Sequence, residues 1–536
     1  MVGAIRWLAP VIAAVMTLVG IILEGEFASR WVVVGLALWM LLWWIFEAVP
    51  LAVTALLPLI LLPSTGVLSV DDLAGAYANP VVFLFLGGFL LAAAVASSGL
   101  HQRLASFALR IARDDPAWQV GAILISAAFL SMWISNTATV ALLLPVVTAI
   151  AATTVLREQA GRSVPGRILD ERLLLLGLAA AANIGGMATL IGTPPNAVLA
   201  GYLSRQMGME VGFLEWMVLA LPVSVTLLLI TWGWVLWSMQ RQIGMVWLSS
   251  AGASQGMDLS KTAAQRDAGA TSPAADGSAP PSSVVLGAAR GDDQRRSTTR
   301  LETKPWSSAE RRVAFVFVLT VLAWITRPWM NGLGLSGIGD AQIALVAAVI
   351  LFVLPAGQST QRMTQPTSAD FGSKNSKRYA VNARLLDWRD TRDLPWGVLL
   401  LIGGGIALGS AIERVGLTEV IILSVLPAID GSTLLWIGAM SVFAIVLSHF
   451  VSNTAAAALL VPIVAAAVGS VAADELLRFA LPVVLAASCA FLLPTATPPN
   501  AIVFSTGRIR VGDMIRFGLP LSVAALAVIG VRVLLL

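Results

Sequence analysis

One polar motif occurs twice in this chain, each time inside apolar sequence. Residues 131–138 read Ser-Met-Trp-Ile-Ser-Asn-Thr-Ala, and residues 448–455 read Ser-His-Phe-Val-Ser-Asn-Thr-Ala. The match continues to Ala149, with 11 identities in 19 positions. Further along, residues 193–197 and 497–501 both read Thr-Pro-Pro-Asn-Ala. Because these landmarks recur in the same order, the sequence predicts two copies of one structural unit.

The composition places both copies in a membrane. The 536 residues are 57% hydrophobic and only 12% charged, with a mean hydropathy of +0.85, whereas soluble domains carry about 25% charged residues. About 20 apolar residues span a bilayer, so the chain has room for roughly ten to twelve spans. We therefore expect an all-α polytopic protein of the cell membrane. The net charge of +4 comes from Arg-rich loops and does not indicate a nucleic-acid partner.

Two polar stretches divide the apolar sequence. Residues 240–312 are rich in Ala, Ser, Gly, Thr and Pro, which predicts a disordered linker, with a docking or regulatory tail as the alternative. Residues 358–393 form a second polar insert. The positive-inside rule places both stretches in the cytoplasm. The predicted organisation is an N-terminal membrane helix at 1–30, a first repeat at 31–239, the linker, and a second repeat at 313–536.

The relative orientation of the repeats depends on the number of spans in each. An odd number of spans gives repeats of opposite topology, as in many secondary transporters, and an even number gives parallel repeats. We favour inverted repeats, which would place a substrate site between them near the middle of the membrane.

The Ser-Asn-Thr triplets predict the tips of two helical hairpins. Unpaired polar groups in hydrocarbon cost several kcal/mol each, so a partner or a ligand must satisfy them. Ser135 and Asn136 are good helix caps, and we expect the second half-helix to open at Thr137. Its N-terminus would carry a partial positive charge. The alternative is polar contact between packed helices, which the repetition of the triplet disfavours.

The Thr-Pro-Pro-Asn segments predict two broken helices. Residues 173–203 and 476–506 are each too long for one straight span, and the paired prolines remove amide donors. Thr193 and Thr497 are expected as N-caps, followed by Pro194 and Pro498 at the first helical position. The carbonyls freed near Gly192 and Ala496, with hydroxyl and amide oxygens from the hairpins, would suit a monovalent cation such as sodium. A functionless proline kink is the alternative.

Several kinds of chemistry are disfavoured by what the spans lack. No acidic or basic residue lies clearly at the centre of a predicted span, which disfavours proton coupling through a carboxylate. An intramembrane hydrolase would need a Ser/His or metal constellation, but the chain has two histidines and one cysteine. We therefore expect a transporter, with no catalytic residues and no cofactor. His449 is expected to pack behind the second hairpin or to bond a backbone carbonyl.

The doubled motif, each copy followed by a Pro-Pro-Asn broken helix, resembles the divalent anion/sodium symporter (DASS) family. The segment 47–54, Glu-Ala-Val-Pro-Leu-Ala-Val-Thr, is similar to that family as well. The resemblance covers nearly the whole chain apart from the two polar stretches. It implies about eleven transmembrane helices plus two opposed re-entrant hairpins, divided into a scaffold domain and a transport domain. It also implies a homodimer and an elevator mechanism.

The resemblance further implies ligands for two sodium ions and one substrate. The first sodium site would use Ser131, Ser135, Asn136 and the Gly192 carbonyl, and the second Ser448, the Val451 carbonyl, Asn453 and the Ala496 carbonyl. Substrate carboxylates would meet Ser135, Asn136, Thr137, Thr193, Pro194, Asn453, Thr454, Thr497 and Pro498.

One departure bears on coupling. Many family members have Thr-Glu where this chain has Ser448 and His449, so an acid near the second cation site is missing. The predicted function is sodium-coupled symport of a divalent organic anion, such as succinate, malate or fumarate. The alternatives are a sodium-independent dicarboxylate exchanger and a carrier of sulfate, another oxyanion or citrate.

Overall fold

The computed structural model describes residues 2–22, 26–101, 103, 115–159, 169–267, 305–332, 337–357, 384–417, 433–468 and 472–535. Within these ranges the chain forms nineteen α-helices, a 3-10 helix at Trp388–Thr391 and one isolated bridge between Pro355 and Arg384. The all-α prediction is confirmed. The helices are α1 Val2–Ile22, α2 Glu26–Ile45, α3 Leu51–Thr54, α4 Leu57–Ser64, α5 Val70–Tyr77, α6 Pro80–Ser98, α7 Pro116–Ser131, α8 Asn136–Gln159, α9 Glu171–Met187, α10 Pro194–Met207, α11 Phe213–Asp267, α12 Ser308–Gly332, α13 Asp340–Val353, α14 Trp396–Arg414, α15 Thr433–Ser448, α16 Asn453–Val468, α17 Ala473–Ala487, α18 Pro498–Ser505 and α19 Val511–Leu535.

Six helical stretches of the described chain are long and apolar enough to cross a membrane. They are Ala28–Ile45, Val70–Ser98, Phe213–Arg241, Ser308–Met330, Trp396–Arg414 and Val511–Leu535. Shorter apolar helices include both helices of each predicted hairpin. The chain is therefore a multi-pass membrane protein. The count of eleven spans stays a prediction, because half-helices and interrupted helices are each shorter than one full span.

Cap residues at the helix ends explain where several helices begin. Asn79 Oδ1 accepts from the Val81 amide at 2.9 Å, and Pro80 occupies the first position of α6. Asp115 caps α7 and Asp170 caps α9 in the same way, each at 2.8 Å. Because the first amides of a helix have no partner within it, such caps fix the residue at which a helix starts.

Each Ser-Asn-Thr motif lies where one helix ends and the next begins, and the re-entrant placement of these helix pairs stays a prediction. In the first, α7 ends at Ser131 and α8 begins at Asn136; in the second, α15 ends at Ser448 and α16 begins at Asn453. Each second helix begins one residue earlier than the expected start at the Thr of the triplet. The reason is that the preceding Ser acts as the N-cap, so that the Asn already lies inside the helix.

Both predicted helix breaks are present as well. The first helix of each pair, α9 or α17, ends well before the prolines, at Met187 and Ala487, and α10 and α18 begin at Pro194 and Pro498. The connection spans residues 188–193 in the first repeat and 488–497 in the second. The prolines therefore start the second half-helix, where a missing amide costs nothing, and the first half-helix ends independently of them.

The two repeats pack crosswise. Within each repeat, the hairpin packs on the first half of its own broken helix, α7 and α8 on α9 and α15 and α16 on α17. The second half of each broken helix instead packs on the hairpin of the other repeat: α10 on α16, and α18 on α8. The duplication in the sequence therefore reappears as matching contacts in space.

The chain divides into two compact units, 1–236 with 307–536, and 237–306. Within the second unit, α11 continues to Asp267, so residues 240–267 are helical and the disorder prediction is wrong for them. Their low sequence complexity hid many good helix formers, Ala, Gln, Met and Lys among them. Residues 268–304 of the predicted linker lie outside the described residues.

Two other predicted boundaries meet the described chain. The N-terminal helix expected at 1–30 ends at Ile22, and α2 begins at Glu26 and packs against it. Of the predicted polar insert, residues 358–383 lie outside the described residues. Residues 384–393 fold back onto the protein: Leu385 and Leu386 are buried beside α6, α12 and α13.

Candidate functional site

Four helices begin at predicted site residues. The helices α8 and α16 start at Asn136 and Asn453, and α10 and α18 start at Pro194 and Pro498. Unpaired amides and the helix dipole give a helix N-terminus a partial positive charge that favours anions. The crossed packing groups α8 with α18 and α16 with α10. The fold therefore packs these four helices in pairs that each join the two repeats, and in the first pair Asn136 and Thr497 both bond Asn183.

The hairpin tips are capped identically. Ser135 Oγ accepts a hydrogen bond from the Ala138 amide at 3.2 Å, and Ser452 Oγ accepts from the Ala455 amide at 3.2 Å. Ser135 and Thr137 are exposed, whereas Thr454 is buried. The capping hydroxyls are therefore engaged with the backbone, and Thr137 of the first tip is accessible whereas Thr454 of the second is not.

An aromatic stack holds the first tip. Trp133 stacks on Phe213 with ring centroids 5.9 Å apart, and Phe213 stacks on Trp324 at 4.4 Å. Trp133 also meets Phe317 edge-on at 5.0 Å. At the matching position of the second tip, Phe450 is 65% exposed. The two tips are therefore supported differently.

Neutral oxygen atoms converge below the first tip. Ser131 Oγ donates to Asn136 Oδ1 at 2.5 Å, and Ser131 is fully buried. A Cβ placed on Gly186 would lie 2.5 Å from Asn136 Oδ1 and 3.1 Å from the Gly192 carbonyl oxygen. A Cβ on Gly192 would lie 2.5 Å from the Gly186 carbonyl oxygen and 3.0 Å from that of Ser131. Only glycines leave room for this approach, and the oxygens they admit are of the type that hard cations prefer.

The corresponding residues of the second repeat leave two oxygen atoms unpaired. Ser448 Oγ and Asn453 Oδ1 are buried, and neither has a hydrogen-bond partner among the described residues. Val451 and Ala496, whose carbonyls are the predicted cation ligands, are buried as well, at 3% and 2% exposure. Buried polar atoms without partners are costly in a folded protein, so these two atoms are suited to a ligand such as a cation.

The two threonines that precede the prolines differ. Both occupy the N-cap position, but only Thr497 makes a cap bond, accepting from the Asn500 amide at 3.3 Å. Thr193 lies at the same position of α10 without a side-chain cap bond. Both side chains are buried at 3% exposure. The N-cap prediction therefore holds in position for both residues and in hydrogen bonding for Thr497.

The asparagines after the prolines have matching roles that the sequence did not reveal. Asn196 Nδ2 donates to the carbonyls of Gly186, at 3.3 Å, and Thr189, at 2.7 Å. Asn500 Nδ2 donates to the corresponding carbonyls of Ala490, at 3.1 Å, and Leu493, at 3.0 Å. Each side-chain amide therefore fixes the shape of the connection before its half-helix, and Asn196 also bonds the last turn of α9.

One buried residue near the first cluster was not predicted. Asn183, in α9, is fully buried and lies between the two repeats. Its Oδ1 accepts from Asn136 Nδ2 at 3.2 Å, and its Nδ2 donates to Thr497 Oγ1 at 3.1 Å. A lone amide directly after the apolar run 173–182 was the available signal, since a buried amide requires partners.

His449 has a structural role. Its Nδ1 lies 2.6 Å from the Ile445 carbonyl oxygen, and its Nε2 accepts from the Leu492 amide at 3.1 Å. Because the amide needs an acceptor at Nε2, the ring is neutral and donates from Nδ1. The expected carbonyl bond is confirmed, and the ring also ties the second hairpin to the broken helix.

A cavity of about 150 Å³ lies beside α6, α10 and α13. It is lined in part by Glu210, Arg327 and Asp340. Arg327 pairs with Asp340 at 3.0 Å and with Glu210 at 3.2 Å, and Asp340 Oδ2 accepts from the Phe213 amide at 2.7 Å. This ion cluster, in which Asp340 is buried and Glu210 is exposed, joins the α12 and α13 helices to the start of α11.

Comparison with known proteins is consistent with this architecture. Residues 5–535 match the family model of the sodium:sulfate symporter transmembrane region. The sodium-dependent dicarboxylate transporter SdcS of Staphylococcus saprophyticus is 33% identical over 505 residues, covering 93% of this chain and 84% of the relative. The protein of the same name from Staphylococcus aureus is 31% identical over 497 residues, covering 91% and 82%. The chain therefore belongs to the sodium:sulfate symporter family, the divalent anion/sodium symporters.

Proposed function

We propose that this protein is a secondary transporter that couples the entry of a four-carbon dicarboxylate, such as succinate, malate or fumarate, to sodium. The observation that carries the proposal is the doubled set of uncharged, buried oxygens beneath two helix N-termini. The names of the two staphylococcal relatives point to the same substrate class and ion. Na⁺ serves as the coupling ion, and no other cofactor is required.

The proposal includes two sodium sites, one for each of the duplicated clusters. The first is formed by Ser131, Asn136 and the Gly192 carbonyl, with Ser135 at the tip. The second is formed by Ser448, Asn453 and the Val451 and Ala496 carbonyls. Support for the first is the close approach of Gly186 and Gly192, and support for the second is the pair of unpartnered oxygens.

The substrate lies between the two hairpin tips in this proposal. Its carboxylates meet hydroxyls, amides and helix N-termini from both repeats. Sodium supplies the positive charge, because the hydrogen bonds described for these residues include none from an Arg or Lys side chain. The residues are Ser135, Asn136, Thr137, Thr193, Pro194, Asn453, Thr454, Thr497 and Pro498.

Inverted repeats and an elevator movement complete the proposal. Supporting it is the crosswise packing, in which the hairpins and broken helices of both repeats form one group around the candidate site. This group would carry the substrate across the membrane against a scaffold that includes the remaining helices. We further propose a homodimer in the cell membrane, with the linker at 240–312 in the cytoplasm.

The test is uptake of radiolabelled succinate into proteoliposomes that contain the purified full chain. An inward sodium gradient is compared with matched potassium and choline gradients. Sodium-dependent accumulation that excess fumarate blocks is the expected result. Asn136→Ala and Asn453→Ala should each abolish it in folded protein; wild-type uptake by both variants would refute the site.

The same experiment separates the alternatives. Uptake that ignores sodium but requires succinate inside the vesicle would establish an exchanger. Absence of succinate uptake with sodium-driven uptake of sulfate or citrate would move the substrate to another anion of the family.

A further inference from the structure

The side chain of Asn183 links the first cation cluster to the second broken helix. It is fully buried on α9, where its neighbours in sequence are apolar. A buried amide that loses its partners costs about 1–3 kcal/mol, so its two hydrogen bonds hold it in place. One bond reaches Asn136 of the first hairpin, and the other reaches Thr497 of the second repeat.

The hydrogen bonds form a continuous chain with one direction. Ser131 donates to Asn136, Asn136 donates to Asn183, and Asn183 donates to Thr497. The backbone N–H of Asn500 also donates to Thr497 Oγ1, at 3.3 Å. Because the hydroxyl oxygen already accepts twice, its own proton is free to be donated elsewhere. Thr497 is thereby set to donate to an anion.

The opposite direction is compatible with the same atoms. If the Asn136 amide turns over, its Nδ2 faces Ser131 and its Oδ1 accepts from Asn183. The Thr497 hydroxyl then donates its proton to Asn183 Oδ1, so this proton is not available to a substrate. A cation bound at the first cluster selects the first direction, since only Oδ1 can be its ligand.

We propose that Asn183 is a positioning residue that transmits sodium binding at the first site to the Thr497 hydroxyl, which binds the substrate. The hydrogen-bonded series Ser131, Asn136, Asn183 and Thr497 is called the relay below. Sodium holds the Asn136 amide in one orientation, Asn183 passes that orientation on, and Thr497 then presents its proton to a substrate carboxylate. This inference rests on the proposed function and assigns the connection between its ion and its anion.

The relay runs from the first repeat to the second, and the second repeat has no matching connection back to the first. The position that corresponds to Asn183 in the second repeat is Ala487, which has no side-chain amide. Correspondingly, Thr193 makes no side-chain cap bond at the start of α10. The relay therefore starts from the first cation cluster and has no equivalent from the second.

Equilibrium binding of radiolabelled succinate to the purified full chain tests the relay. The measured quantity is the ratio of succinate affinities in saturating sodium and in choline. Coupled sites give ratios of roughly 5–150-fold, and we expect the wild-type ratio in that range. In Asn183→Ala the ratio should fall well below that of the wild type, while sodium still raises the thermal stability of the protein. Retained sodium stabilisation shows that the variant is folded and still binds sodium.

Ser224→Ala is the matched control. Ser224 is buried on α11 and donates to the Ile184 carbonyl, the residue after Asn183, at 2.7 Å. The Ser224→Ala variant removes a buried hydrogen bond from the same turn of α9 and leaves the relay intact. Its ratio of succinate affinities in sodium and in choline should therefore equal that of the wild type. Asn183→Leu, of similar size and favourable in a helix, takes the place of the Ala variant if that variant does not fold.

A double variant tests whether the effect passes through Thr497. If it does, Asn183→Ala combined with Thr497→Val loses no more of the sodium effect than either change alone, because residues acting in one chain are not additive. A wild-type ratio in Asn183→Ala or Asn183→Leu, or additive losses in the double variant, would overturn the relay. A wild-type protein that binds no succinate with sodium would overturn the proposed function instead.

Discussion

Gly186→Ala is the most direct test of the first cation site. Gly186 lies in the last turn of α9, and a Cβ there would be 2.5 Å from Asn136 Oδ1 and 3.1 Å from the Gly192 carbonyl oxygen. Carbon and oxygen atoms do not approach below about 3 Å, so the amide oxygen must move by roughly 0.5 Å or more. Sites of this kind require their ligands within about 0.5 Å of the productive position.

The magnitude follows from the cost of overpacking. Inserting a methyl group into a tightly packed region costs about 1–3 kcal/mol. If that cost falls on the ion-bound arrangement, the sodium concentration for half-maximal uptake rises by roughly 5–150-fold. We expect this rise with folded, dispersed protein. The assay is succinate uptake into proteoliposomes over a series of sodium concentrations.

Gly233→Ala is the control for a glycine in a helix. A Cβ on Gly233, in α11, would meet nothing within 4 Å, so the sodium dependence of the control should match that of the wild type. A Gly186→Ala protein with the half-saturating sodium concentration of the wild type would refute the argument, because the oxygen beside the new methyl group would then have no part in ion binding.

Three further outcomes are expected. Ser448→Ala removes a buried hydroxyl that has no partner among the described residues, so thermal unfolding should change little while the sodium requirement rises; a large loss of stability would contradict this. Asn500→Ala frees the Ala490 and Leu493 carbonyls and should cost about 1–3 kcal/mol, measured as a lower unfolding temperature than that of the exposed Ser505→Ala control. Arg327→Leu leaves the Asp340 carboxylate buried without its ion pair and should cost about 3–5 kcal/mol, with partial recovery on adding Asp340→Asn.

The sequence predicted those parts of the fold whose cause is local. The Ser-Asn-Thr motif marks the turn between the two helices of each hairpin, and Thr-Pro-Pro-Asn marks each helix break. These residue types commonly cap or start helices. Their repetition distinguished a built feature from a chance kink. The helical region 240–267 was missed because composition was weighed above the helix propensity of its residues.

The site was predictable only where its residues lie within the motifs. Asn183 meets Thr497, which is 314 positions away, and nothing near it in the chain indicates that partner. The difference between Thr193 and Thr497 was equally hidden, because both precede the same three residues and only the surrounding packing distinguishes them. Long-range pairing decides such roles, and one sequence does not contain it in readable form.

The crosswise packing of α10 on α16 and of α18 on α8 makes the halves of this molecule mutually dependent. Neither repeat would enclose the proposed binding region by itself, since each contributes a hairpin to one packed pair and a half-helix to the other. A substitution in one repeat therefore affects contacts with residues of the other repeat, which lie far away in the sequence. We expect the two repeats to coevolve, each accepting only those changes that the other accommodates.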